Sequence, residues 1–190
     1  DEIIHENDLL AVKKAMKENL NNLNINALVF DYYHFFGSKD WIAISPSWYR
    51  KEVRIIRNTV RSWCPDALYF LLMNKNKKGT YPKAALVNVP IYHYGHVRNL
   101  KAMKNKVDKV GKYWNKKNPS FDSYKIDPQA IKFFEGSHPS CIQKWLKTSA
   151  EKYFTPEPNH ILTNREKRHR ILMWLEKFLK KDLTKKHYDL

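Results

Sequence analysis

The run Ala27-Leu28-Val29-Phe30-Asp31-Tyr32-Tyr33-His34-Phe35-Phe36 constrains the fold more than any other stretch of the chain. Its aromatic and aliphatic residues suit the pleated, half-buried surface of a strand, and a single acid interrupts them. Gly37-Ser38-Lys39-Asp40 follows as a turn. Residues 41–45, 53–57 and 85–94 predict three further strands. Pro46 ends the first of these and Gly95 the last. Ahead of the sheet, residues 7–20 place Leu10, Ala11, Ala15, Met16 and Leu20 near helical spacing, with Asn7 or Asp8 as the cap. Residues 58–83, broken by Pro65, Gly79, Pro82 and a lysine-rich turn at 75–78, read as mainly irregular.

Beyond Gly95 helical patterns dominate. Residues 99–115 put Leu100, Met103, Val107, Val110 and Trp114 on one stripe. Residues 118–128 read as a linker, 128–134 as a short helix and 136–139 as a turn. Residues 139–152 predict a helix with Ile142, Trp145 and Leu146 on one side, and 155–159 a loop with two prolines. The last helix, 164–181, carries Ile171, Leu172, Trp174, Leu175, Phe178 and Leu179. A small sheet followed by helices gives an α/β or α+β fold. No repeat and no compositional break divides the chain.

With 43% hydrophobic and 14% aromatic residues over 190 positions, the chain has the material for a real core and is too apolar for a disordered segment. Lys and Arg number 35 against 19 Asp and Glu, a formal charge of +16. That excess attracts polyanions, whether nucleic acid, anionic lipid or phosphorylated substrate, without choosing among them. Cys64 and Cys141 form no CxxC pair and no disulfide framework, which fits a reducing compartment. No apolar run reaches membrane-spanning length and no signal peptide is evident. The first residue is Asp1 and not Met, so a preceding segment is expected to have been processed, removed or left out.

Four segments in order resemble a bacterial-type group of family 2 glycosyltransferases. They are Asp1-Glu2-Ile3-Ile4-His5-Glu6; His34-Phe35-Phe36-Gly37-Ser38 through Trp48-Tyr49-Arg50 to Glu52-Val53-Arg54-Ile55-Ile56-Arg57-Asn58; Ile91-Tyr92-His93-Tyr94-Gly95-His96-Val97-Arg98; and Phe134-Glu135-Gly136-Ser137-His138-Pro139. The resemblance covers the chain from Asp1 to about Pro139. It implies an incomplete GT-A-like fold, with residues 1–98 the C-terminal, acceptor-side part of the catalytic domain and 99–190 a helical extension packed on it. The strands that hold the nucleotide base would precede Asp1, and the isolated 190 residues are then expected to be inactive. It further implies an inverting, metal-dependent transfer of a sugar, hexosyltransferase-like, from a nucleotide-diphosphate donor to a hydroxyl of a glycan or lipid-linked acceptor. The setting would be glycan biosynthesis at a cytoplasmic, membrane-peripheral site.

Such a reaction needs the diphosphate neutralised, the acceptor hydroxyl deprotonated and both substrates aligned. By the resemblance, Asp1 matches the last acid of a DxD-type motif and would bind Mg2+ or Mn2+, with Glu2 in support. Both acids also suit the positive end of the helix that starts near Asn7. His93, or less readily His96, would face the metal or diphosphate from a strand tip; a backbone-bonded strand-end histidine is the alternative. Asp66, in Arg61-Ser62-Trp63-Cys64-Pro65-Asp66-Ala67, matches the segment with the presumed base, although Leu68-Tyr69-Phe70 replaces the glycine and phenylalanine usual there. A turn-capping Asp is the alternative, and Glu52 is the next candidate base.

Arg50, Arg54, Arg57 and Arg98 form the cationic set for the diphosphate; three residues apart on a strand, Arg54 and Arg57 should face opposite ways. Trp41, Trp48 and Trp63, with Tyr49, could stack on sugars or lie in the core. Arg165, Lys167, Arg168, Arg170, Lys177, Lys180, Lys181, Lys185 and Lys186 make the C-terminal helix and tail basic: a face for an anionic membrane surface or a phosphorylated acceptor, or an ordinary solvated face. The competing functional class is a non-enzymatic basic module for single-stranded nucleic acid, but no RRM, KH or zinc-finger signature supports it. An interaction domain that has lost catalysis is a third class.

Overall fold

The computed structural model describes residues 1–65, 68–73, 79–113, 121 and 123–190. It is a mixed α/β fold with a six-stranded mixed sheet. The strands are β1 (Glu2–Ile4), β2 (Ala27–Phe36), β3 (Trp41–Ala43), β4 (Lys51–Ile56), β5 (Ser62–Trp63), β6 (Leu71–Met73), β7 (Gly79–Thr80), β8 (Ala84–His96) and β9 (Ile131–Phe133). The helices are α1 (Leu9–Asn19), α2 (Leu100–Tyr113), α3 (Gln143–Thr148) and α4 (Asn164–Leu179). The main sheet runs β1-β8-β2-β3-β9, with β4 also paired to β2, and β5-β6-β7 form a separate three-stranded sheet.

Two compact units emerge, interleaved along the chain because β2 and β8 each contribute to both. One unit takes Asp1–Ile3, Tyr33–Trp48 and Tyr92–Leu183; the other takes Ile4–Tyr32, Tyr49–Ile91 and Thr184–Leu190. In the first, Phe35, Ile42, Tyr92, Tyr94, Val97, Leu146 and Ala150 form the core. The rings of Phe35 and Tyr94 stack at 4.7 Å and 5°. In the second, the two faces of β2 serve two cores. Leu28, Phe30 and Tyr32 pack with Val12 and Ala15 of α1 and with Val87, Val89 and Ile91 of β8. Ala27 and Val29 pack with Val53, Ala84 and Tyr188. Period-two alternation of a strand buried on both sides produces this division.

The four expected strands and the helices at 7–20 and 164–181 are present with ends shifted by a few residues, and the helix expected at 99–115 is present over Leu100–Tyr113, with 114–115 outside the described residues. The expected helix at 139–152 is shorter: a 3-10 turn at Ser140–Ile142 leads into α3. One expectation is corrected. Residues 128–134 are not a helix: a single 3-10 turn at Pro128–Ala130 is followed by strand β9, which pairs antiparallel with β3 through Trp41–Phe133, Ile42–Lys132 and Ala43–Ile131. Partners at the edge of β3, not local propensity, set this outcome. The lysine-rich turn at 75–78 lies outside the described residues; the described part of 58–83 is mainly irregular, as expected, except that Leu71–Met73 pairs with Ser62–Trp63 and Gly79–Thr80. These strands are too short to leave a periodic signature. β1 was unforeseen for the same reason.

Candidate functional site

The ends of β2 and β8 build the most concentrated set of chemically capable side chains. Phe35, Tyr92 and Tyr94 point into the aromatic core, so alternation turns His34 and His93 to the other side. There the two imidazole Nδ1 atoms meet at 2.9 Å, with the rings edge-on at 86°. One nitrogen must donate and the other accept, so the pair cannot carry an N–H at both positions.

Asp1 joins the pair through its backbone. Its carbonyl accepts from Tyr94 N–H at 2.8 Å, which fixes the residue beside the tip of β8. Its carboxylate then lies 3.9 Å from His93 Nε2 through Oδ1; Oδ2 is 3.5 Å from Arg98 Nη2 and 3.9 Å from Lys106 Nζ. Lys106 reaches in from α2 and donates to the carbonyl of Gly95 at 2.8 Å. Gly95 is needed for this convergence. A Cβ there would lie 2.5 Å from His93 Nε2 and 3.0 Å from Asp1 Oδ2.

The electrostatics are those of a crowded cationic site. Burial pushes the His96 imidazole down to about 3, helped by Lys106, His93, His34 and Arg98, so His96 is neutral at pH 7. Burial, then the charge of Arg98, also lowers Lys106 below the usual lysine range. The Arg98 backbone is pinned by the Tyr124 hydroxyl, which donates to its carbonyl at 2.6 Å. Arg98 Nε is buried with no hydrogen-bond partner among the described residues. A buried donor left unmet costs free energy unless an acceptor arrives. Trp48 closes one side, its ring 4.9 Å from His96 and 5.1 Å from His34.

The unit containing Asp1 also holds Glu2, exposed at the start of β1, and Trp41, whose indole N–H donates to Phe154 O at 3.1 Å. Arg54, Arg57 and Trp63 belong to the other unit. Arg54 lies over the Tyr32 and Tyr49 rings at 5.0 and 5.7 Å, and donates to Tyr49 Oη and to the carbonyls of Val53 and Leu68. Arg57 closes the end of α1. Its guanidinium donates to the carbonyls of Ile25, Leu20, Asn19 and Asn22 at 2.6–2.9 Å. Binding a diphosphate would require it to give up those bonds. Trp63 is 56% exposed on the small sheet. Glu52 is buried and bonded to His187 Nδ1 at 2.8 Å. Asp66 lies outside the described residues.

Sequence reasoning did not foresee the roles of His34 and Lys106. His34 could have been found from strand parity, since it sits one residue before a core aromatic as His93 does. Lys106 carried no signal, because only the docking of α2 aims it at Asp1.

A small dication coordinated by two protein atoms holds them about 3 Å apart if adjacent and about 4 Å apart if opposite. At 3.9 Å, Asp1 Oδ1 and His93 Nε2 lie between the two spacings and match neither, so the two side chains would have to adjust to share an ion. No group of three or more His, Cys, Asp or Glu side chains able to hold a metal occurs among the described residues. An ion here would therefore need its remaining oxygens from phosphate and water, as Mg2+ and Mn2+ sites with bound phosphates commonly do. Carboxylate, imidazole and an unmet arginine donor are the kinds of group that a metal–diphosphate pair would need. Among known proteins, no family model, curated sequence or solved structure matches this chain. No helix among the described residues is long and apolar enough to cross a membrane.

Proposed function

We propose that this chain is the diphosphate-handling and acceptor side of a GT-A-like glycosyltransferase, which moves a sugar from a nucleotide-diphosphate donor to an acceptor hydroxyl with inversion. The observation that supports this reading is the meeting of Asp1 and His93 with two cations, Arg98 and Lys106, one of which has an unmet buried donor. Carboxylate and imidazole suit a dication, and fixed cations suit the phosphate oxygens beyond it. Bound there, Mg2+ or Mn2+ would neutralise the leaving diphosphate.

The chain's own residues have distinct tasks in this scheme. Asp1 and His93 would hold the cation, with His93 oriented by His34. Arg98 Nε and the Lys106 ammonium bind diphosphate oxygens, and their charge stabilises the leaving group as it departs. Neutral His96 and Trp48 exclude water from that corner. Asp66 takes the proton of the acceptor hydroxyl as the new C–O bond forms and the bond from sugar to diphosphate breaks.

The binding half of the scheme can be tested on the 190-residue chain, with Mn2+ and inorganic pyrophosphate in a titration calorimeter. Mn2+-dependent pyrophosphate binding should weaken by about tenfold or more in Asp1→Asn, equivalent to at least about 1.4 kcal/mol. Equal binding by wild type and Asp1→Asn, or none by wild type, would refute the assignment. The chemical half needs protein that includes the nucleotide-binding half, screened for donors by nucleotide diphosphate release. Asp66→Asn should then lose about 10²–10⁴-fold in turnover with donor binding kept. Near wild-type transfer would make Glu52 the next base to test.

A further inference from the structure

Helix α4 is mounted with its polar side inward. Glu166 accepts from Asp127 N–H and His160 and closes a capping box with Thr163. One turn on, Arg170 makes a two-pronged bond to buried Asp127, at 2.8 Å on both arms. His169 bonds Ser47 Oγ at 3.1 Å, and buried Glu176 accepts from Leu183 N–H. With this side turned to the protein, the apolar side faces out. Ile171 is 61% exposed, Trp174 63%, Phe178 72% and Leu179 53%.

At 100° per residue, Ile171, Trp174, Leu175 and Phe178 share an arc of about 100°, and Leu172 and Leu179 widen it to about 160°. Trp174 and Phe178 stack at 5.7 Å and 10°, which makes one continuous aromatic surface. A contiguous apolar surface of this kind on a soluble domain marks a docking site.

The charges on this helix identify the occupant. Its two acids, Glu166 and Glu176, are both on the inward side. Lys167 and Arg168, both exposed, share the outward arc one turn ahead of Ile171 and Leu172, with Lys181 just past the helix end. No acidic side chain of α4 lies on this outer face. A second copy docking on the same face would bring like charges together, whereas an anionic bilayer answers both features. Its headgroups pair with the flanking cations, and its acyl boundary takes the Trp and Phe rings. At 16 residues the helix is about 24 Å long, too short and too charged to span a bilayer but suited to lie in its surface.

We propose that the outward face of α4 is an in-plane membrane anchor: Ile171, Trp174, Phe178 and Leu179 enter the acyl boundary, and Lys167, Arg168 and Lys181 hold anionic headgroups. Binding at this face is independent of glycosyl transfer.

Vesicle co-sedimentation of the 190-residue chain tests it, using phosphatidylcholine alone and phosphatidylcholine with roughly one-third phosphatidylglycerol. Wild type should bind the anionic vesicles, bind phosphatidylcholine far less, and release as salt rises. The double variant Trp174→Ser/Phe178→Ser alters exposed side chains only and should bind about tenfold or more weakly. The double variant Lys167→Glu/Arg168→Glu should lose the preference for anionic lipid. Trp174→Phe should keep binding while removing most of the tryptophan quenching by brominated lipid. The proposal is overturned by a wild type that ignores anionic vesicles, or by a serine variant that binds as well as wild type. A concentration-dependent dimer abolished by the serine substitutions would overturn it too, and assign the face to a second copy.

Discussion

Lowering the pH should unfold this protein through His96. The His96 imidazole is held at about 3 by burial, with Lys106, His93, His34 and Arg98 around it. In the unfolded chain the same group titrates near 6.5. The folded state therefore resists protonation and the unfolded state accepts it. Stability is at its full value above pH 6.5, declines as pH falls from 6.5, and stops declining near pH 3, where the folded form also takes the proton. One proton over that interval costs about 1.4 kcal/mol per pH unit, hence about 2 kcal/mol at pH 5 and about 5 kcal/mol in all. Urea denaturation at pH 7 and pH 5, with a chelator present, gives the measurement. Other groups also titrate, so the deciding comparison is with His96→Gln, whose amide side chain cannot charge. The loss between pH 7 and pH 5 should be smaller in the variant by about 2 kcal/mol. An unchanged pH dependence would mean that His96 protonates freely in the folded state and that the buried cationic corner is not closed to water.

Two other outcomes follow from single contacts. Arg57→Ala removes four charge-assisted bonds to the carbonyls at the end of α1; because the site is partly exposed, urea denaturation should register a loss of about 2 kcal/mol. Equal stability would show water replacing the guanidinium at no cost. Gly95→Ala puts a methyl 2.5 Å from His93 Nε2, so the ring must move by roughly 1 Å to restore ordinary contact, at a cost of about 1–3 kcal/mol. Mn2+-dependent pyrophosphate binding should fall with it, and unchanged binding would show that His93 is not a partner of the metal–diphosphate pair.

Strand parity and helical spacing made much of this molecule legible in its sequence. The aromatic run 27–36 could form only a strand, because its crowded side chains pack on a pleated surface. Its alternation already divides Phe35 from His34. The tip of β8 was readable for a similar reason, since His93 and Gly95 sit where a long apolar strand ends.

Tertiary structure decided the rest. Residues 131–133 became strand β9 because β3 had an edge to pair with, and nothing local distinguishes that from a helix. Arg57 and Arg98 are the same residue type, each just past the end of a strand. One closes a helix end and the other lies beside Asp1, which depends on what packs around each guanidinium. The apolar stripe of α4 reads in sequence as a core-facing side. The structure turns it outward because buried Asp127 needs the Arg170 guanidinium, which also holds its carboxyl below the usual range. An uncompensated carboxylate in the interior costs more than leaving a few apolar side chains in water. Periodicity reports that a helix has two faces; only the polar groups buried beneath it determine which one turns in.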